Sequence, residues 1–180
     1  MSEFKTEYSS EQIRIRSERF ISMLRHVQIL GLTIESADSL ERNVVMRLPY
    51  DQKIIGDPTK GIVHGGALTT LMDTACGTAV FAVLPDFELC PTLDLRVDYM
   101  KAAEPGRDLL CRAKVTKVSG NVVFTDGEVL EDVSHRLIAK CSAAFMRIGA
   151  ELTPEEFREV IKHGIDEEKL QNLLALSGRG

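Results

Sequence analysis

The chain has 180 residues and a formal net charge of −5, with 22 Lys and Arg against 27 Asp and Glu. Its 44% hydrophobic and 27% charged residues are ordinary globular values, and a chain this long buries a full core without disulfide or metal staples. The acidic balance argues against nucleic acid as a general partner, and the absence of Trp leaves a core that is mostly aliphatic.

Residues 11–30 read as an amphipathic helix. Ile13, Phe20, Ile21, Leu24, Val27 and Leu30 fall near helical spacing, and Gly31 ends it. The N-terminus, Met1 to Arg19, is polar and charged and does not resemble an apolar export signal. Residues 41–48 alternate, with Val44, Met46 and Leu48 on one side. Residues 49–63, with Pro49, Gly56, Asp57-Pro58 and Gly61, read as loop.

Residues 65–84 look helical by their Ala, Leu and Met content and by the lack of proline before Pro85. From Gly61 to Leu84 the ionisable side chains are His64 and Asp73, a run that invites comparison with a membrane span. Asp73 near its centre, four Thr, four Gly and no flanking basic pattern argue against that, because a charge at mid-bilayer costs several kcal/mol.

A run of strands follows. In 93–99, Leu93, Leu95, Val97 and Tyr99 face one way and Asp94, Arg96 and Asp98 the other, as in a half-buried strand. Pro105-Gly106 makes a turn, and 108–118 put Leu109, Cys111, Ala113 and Val115 on one face. Ser119-Gly120 turns the chain into 121–130. Glu131 to Ser134 turns it again into 136–148, where Leu137, Ala139, Cys141, Ala143 and Phe145 alternate. Short turns between consecutive strands imply an antiparallel meander. Near the end, Thr153-Pro154-Glu155-Glu156 reads as a helix start with Thr153 as N-cap, and a second short helix is expected at about 166–177. Phe157, Val160, Ile161 and Ile165 give this tail an apolar stripe, read as a packing appendage in preference to a lid.

The cysteines are Cys76, Cys90, Cys111 and Cys141, without a Cys-x-x-Cys pair or a His/Cys cluster, so a metal site is not expected. Counting alone permits two disulfides. The absence of an export signal favours reduced thiols and a cytoplasmic location.

The helix at 65–84 is apolar nearly all round and must be buried on most sides. A curved sheet wrapped around it meets that demand, whereas a flat sheet would leave half of it wet. Such a sheet has open edges, so pairing with a second copy is expected.

The segment from Gly61 to Gly77 contains Gly61-Ile62-Val63-His64-Gly65-Gly66, followed by Asp73 nine residues after the His. Together with Thr92-Leu93-Asp94-Leu95-Arg96-Val97-Asp98-Tyr99-Met100, Pro105-Gly106 and Val118-Ser119-Gly120, it resembles the hotdog-fold acyl-CoA thioesterases of the phenylacetic-acid-degradation type, within the 4-hydroxybenzoyl-CoA thioesterase superfamily. The resemblance covers roughly residues 20–148. It implies an α+β hotdog fold, a curved antiparallel sheet around a long central helix, with N- and C-terminal helical extensions. The expected organisation is an N-terminal helical segment (1–30), a hotdog domain (31–149) and a C-terminal helical extension (150–180).

The expected activity is hydrolysis of an acyl-CoA to a carboxylate and free CoA, with no cofactor beyond the substrate's own CoA moiety. Alternatives are a hotdog hydratase or dehydratase acting on acyl thioesters, against which His64-Gly65-Gly66 argues, and a non-catalytic acyl-CoA-binding domain, against which Asp73 argues. The Gly-x-Ser-x-Gly elbow of serine hydrolases and the Gly-Lys-Ser/Thr of P-loop enzymes are absent.

Asp73 is the acid of the helix. Burial is expected to raise its pKa and suit it to act as general base or nucleophile, with a neighbour such as Thr74 as an alternative structural partner. Gly65 and Gly66 open the helix, where free N–H groups and the positive end of the dipole can polarise a thioester carbonyl. The resemblance places that N–H at Gly65. It gives His64 a positioning role and Thr92 the task of holding the acid or the attacking water, with a plain strand residue as the alternative for Thr92. Asp57 stands where relatives often carry an Asn that contacts the water, and an Asp cannot donate an amide N–H. Asp57, Gly66 and Thr74 are the candidate substrate-binding residues. Lys101, Arg107, Lys117 and Arg147 are candidate cations for CoA phosphates, each equally readable as solvated surface charge.

Gly65 and Asp73 lie eight residues apart, about 12 Å along a helix axis. If both act on one carbonyl they come from different subunits. The expected minimal unit is therefore a homodimer, or a homotetramer built from it, with acyl-CoA as partner and no membrane span.

Overall fold

The computed structural model describes residues 8–84 and 87–164. Two helices lead in, α1 (Ser10–Ser22) and α2 (Arg25–Leu30). The single helix expected over 11–30 is therefore broken. Met23 is still helical, but Leu24 turns extended with φ −93° and ψ 98°. The break serves two surfaces. Phe20 and Met23 pack with Phe81, Phe87 and Ile161, while Ile21, Val27 and Leu30 join the main core. Gly31 closes α2 with φ 74°, a left-handed cap that favours glycine.

Strands β1 (Thr33–Asp38) and β2 (Asn43–Leu48) come next. β1 was not anticipated, because its residues are half exposed, half partly buried, and carry no clean alternation. The 49–63 segment is not plain loop. It holds a single 3-10 turn and a short antiparallel hairpin, β3 (Ile55–Asp57) and β4 (Ile62–Val63). Helix α3 (Gly65–Ala79) follows and tightens into a 3-10 turn over Val80–Ala82. Strands β5 (Thr92–Tyr99), β6 (Leu109–Ser119), β7 (Val122–Glu131) and β8 (Leu137–Met146) precede α4 (Glu155–His163).

Six strands form one antiparallel sheet in the order β1-β2-β6-β7-β8-β5. β6, β7 and β8 make the expected meander. β5 does not: it crosses over to pair with β8 and forms the far edge. Hence its alternation is only half realised. Leu95 and Val97 pack on the core, but Leu93 and Tyr99 are each 55% exposed. The sheet curves around α3, whose Leu71, Met72, Ala75, Cys76 and Ala79 are fully buried against the inner face that includes Val44, Met46, Leu48, Cys111 and Ala113. Burying each Leu or Met side chain contributes about 1.5–3 kcal/mol, enough to hold the helix in the concavity.

The expected cap at Thr153 is absent. Its hydroxyl donates to the Gly149 carbonyl and accepts from the Leu89 N–H, fastening two loops together, and Pro154 occupies the N-cap of α4. Val160 and Ile161 are buried and α4 packs on α1. The second short helix expected at about 166–177 and the stripe residue Ile165 lie outside the described residues. The four cysteines are free thiols. Among the described residues, no helix is long and apolar enough to cross a membrane.

Candidate active site

The β3–β4 hairpin delivers the chain to the start of α3. Gly56 lies so close beneath His64 that a Cβ there would stand 2.9 Å from the His64 Cα. His64 is the N-cap of α3, and its Nδ1 accepts the Gly66 N–H at 2.9 Å. Gly66 therefore spends its backbone donor on the cap. The N–H of Gly65 has no acceptor among the described residues, so it is the donor left free at the positive end of α3.

The Gly65 carbonyl is held from the other side. Tyr99 Oη donates to it at 3.0 Å and Thr69 Oγ1 at 3.1 Å, and the two hydroxyls lie 2.8 Å apart. Tyr99 comes from β5, so the edge strand fixes the orientation of the Gly65 peptide. Sequence reasoning missed Tyr99 and Thr69. The period of two placed Tyr99 on the inner side, which was the available signal, but only the fold shows what lies above it. A cleft of about 530 Å³ opens here, lined by His64, Gly65, Gly66, Tyr99, Lys101 and their neighbours.

Asp73 sits two turns further along α3 and is half-buried, more open in the protomer than its apolar sequence context suggests. Its Oδ1 accepts from Thr92 Oγ1 at 2.8 Å. Thr92 reaches it because β5 is irregular at Leu93. Thr92 pairs with Phe145 and Asp94 with the very next residue, Ala144, leaving Leu93 unpaired between them. A bulge of this kind reverses which face the preceding residue presents. With strict alternation Thr92 would point away with Asp94. The acid's partner is thus Thr92 and not Thr74, whose carbonyl accepts from Thr78 and whose side chain is half-buried.

Asp57 is engaged in its own loop. Its Oδ1 accepts from the Thr59 hydroxyl at 2.6 Å and from the Thr59 and Lys60 N–H groups. The Thr59 hydroxyl foremost holds its carboxyl below the usual range. Of the candidate cations, Lys101 lines the cleft, Arg107 lies 3.9 Å from Glu104, and Arg147 is paired with the buried Glu88 at 2.5 Å. Arg147 is therefore not solvated surface charge.

Beyond Asp73 a second cavity of about 160 Å³ opens, lined by Phe20, Gly77, Val80, Phe81, Phe87, Cys90 and Pro91 among others. Burial, reinforced by the Glu88 charge, pushes the Cys90 thiol up to about 12, so it presents a neutral, weakly polar wall. The structure thus gathers His64, Gly65, Gly66 and Tyr99 at one end of α3 and Asp73 with Thr92 two turns on, and does not bring the two groups together within a protomer.

An antiparallel sheet curved around one long helix, with a Gly-Gly helix start and a lone acid on that helix, defines the hotdog class. The chain belongs to the thioesterase superfamily, whose family model matches residues 60–136. A crystal structure of a Pseudomonas aeruginosa protein is 53% identical, with a TM-score of 0.68 over 76% of this chain and 99% of that one. The E. coli PaaI protein from the phenylacetic acid degradation operon shares the fold at 20% identity, with a TM-score of 0.69 over 79% of this chain and 97% of that one. A candidate esterase of Halobacterium salinarum is 37% identical over 99 residues, 53% of this chain and 63% of that protein. The chain spans less than two thirds of the length of the curated relatives it matches, 63% of one and 40% of another.

Proposed function

We propose that the protein is an acyl-CoA thioesterase whose active site is shared between two copies of the chain. One copy offers the free Gly65 N–H to the thioester carbonyl. The other offers Asp73, held by Thr92, either to attack the carbonyl carbon or to take a proton from an attacking water. Both routes give a carboxylate and free CoA without a further cofactor.

The observation that carries this reading is the placement of the two groups on one helix. Eight residues at 1.5 Å each separate them by about 12 Å. The Asp73 side chain leans toward the helix N-terminus, which shortens the gap but does not close it to the ~3 Å that attack and hydrogen bonding both need. The exposed edge strand β5, with Leu93 and Tyr99 each 55% exposed and Met100 just beyond it equally so, supports pairing along that edge. The location of Tyr99 on this strand means that pairing would also cover the residue that orients Gly65.

Loss of thioester absorbance with a panel of acyl-CoAs tests the activity. Asp73→Asn, which keeps the shape and removes the charge, is expected to lower turnover at least ~100-fold, the size of lost acid–base chemistry. Full activity in the folded variant would overturn the assignment. Light scattering tests the shared site, and an active monomer would refute it.

A further inference from the structure

The apolar cavity beyond Asp73 has a defined position along the reaction axis. Gly77, one turn after Asp73, faces the same way and lines it. Pro91, the residue before Thr92, lines it from the strand side. Its lining therefore comes within one helical turn of Asp73 and within one residue of Thr92. The far end is aromatic: Phe81, on the turn that extends α3, meets Phe87 at 5.3 Å between ring centroids, and Phe20 meets Phe81 edge-on at 5.1 Å. Phe20 is contributed by α1, outside the sheet and its central helix. Glu88 borders the cavity, but its carboxylate is taken by Arg147 and by the Gly149 N–H, so it makes no demand on an occupant. Gly77 also lets α3 approach the sheet closely, since a Cβ there would stand 3.2 Å from the Phe145 ring.

Resting on the thioesterase reading, we propose that this cavity receives the acyl group and that Phe20 is its end wall, the residue that sets the longest acyl group accepted. The volume of about 160 Å³ is close to that of an engineered apolar cavity, ~150 Å³, that holds one benzene ring. The occupant is accordingly an acyl group of about six carbons, straight or closed into a single ring. Longer chains meet the Phe20–Phe81–Phe87 cluster. A neighbouring cavity of about 350 Å³ lies on the other side of Phe87, between α1 and α4.

The test is a straight-chain acyl-CoA series from four to twelve carbons, hydrolysed by wild type, Phe20→Ala and Phe20→Trp. In wild type, kcat/KM is expected to rise about fourfold per added methylene, the factor for ~0.8 kcal/mol of burial, and to break near six carbons. Phe20→Ala should move the break to longer chains and Phe20→Trp to shorter ones. S-alkyl-CoA thioethers of the same lengths, which cannot be hydrolysed, are titrated in parallel by calorimetry. A break that moves with residue 20 in both assays supports the assignment. The same movement in thioether binding, without hydrolysis by wild type, keeps the pocket and sinks the thioesterase reading. A chain-length profile identical in wild type and both folded variants overturns the role of Phe20.

Discussion

Thr92→Val gives the sharpest probe of how the candidate acid is held. The substitution is nearly isosteric and removes only the hydroxyl that donates to Asp73 Oδ1 at 2.8 Å. A hydrogen bond to a charged group contributes about 1.5–3 kcal/mol, and Thr92 is exposed in the protomer, which favours the lower end. At ~1.4 kcal/mol per factor of ten, kcat should fall about tenfold with KM nearly unchanged. Thr92→Ser, which retains the hydroxyl, should recover most of the rate.

The double variant decides between positioning and independent action. If Thr92 works only through Asp73, then Thr92→Val adds nothing once Asp73→Asn is in place, and the two losses fail to multiply. Steady-state hydrolysis by the four proteins of this cycle is the assay. Losses that multiply, about a thousandfold together, would refute the reasoning that the bulge at Leu93 exists to bring Thr92 to the acid.

Tyr99→Phe removes one of the two hydroxyls on the Gly65 carbonyl and should lower kcat about tenfold without changing the midpoint of urea unfolding by more than ~0.5 M, measured by circular dichroism alongside turnover. Gly127→Ala puts a Cβ 2.7 Å from Cys141 Sγ and 3.2 Å from Cys76 Sγ, so overpacking should cost about 1–3 kcal/mol in urea unfolding; an unchanged midpoint would contradict the tight packing of α3 on β7 and β8. Glu131 is fully buried: burial pushes its carboxyl up, but bonds from Arg136, Ser134 and the Glu104 N–H outweigh it and bring the group down to about 2. Its stabilising effect is therefore complete above the ordinary carboxylate range and is lost as pH falls toward 2, and Glu131→Gln should flatten that part of the stability-against-pH curve.

The elements that were legible share one property, a local pattern with a single physical solution. Val44, Met46 and Leu48 on β2, and Leu109, Cys111, Ala113 and Val115 on β6, alternate because both strands lie inside the sheet with one face on α3. Asp73 and Gly65-Gly66 were legible for the opposite reason. An acid in an apolar helix and paired glycines at its start violate what packing alone would choose, and such departures concentrate where chemistry is done. What was missed depends on contacts that no window of sequence contains. β5 alternates like a half-buried strand, yet its place at the sheet edge follows from its pairing with β8. Thr153 has the residue type and spacing of a cap, yet the Leu89 N–H and Gly149 carbonyl claim its hydroxyl first.

Tyr99, Thr92 and Phe20 belong together in this respect. Each is an ordinary residue for its element, an aromatic and a β-branched residue in a strand and a Phe on the apolar side of a helix. Each acquires a role only because a crossover, a bulge or a broken helix carries it to α3 or to the turn that extends it. The strand that supplies the first two is also the sheet's open edge. A partner paired along that edge would press on the two residues that hold Gly65 and Asp73. Dilution below the dimer dissociation constant should therefore weaken both groups together: activity is expected to fall with the square of protomer concentration, and first-order dependence down to the monomer would separate the edge from the chemistry.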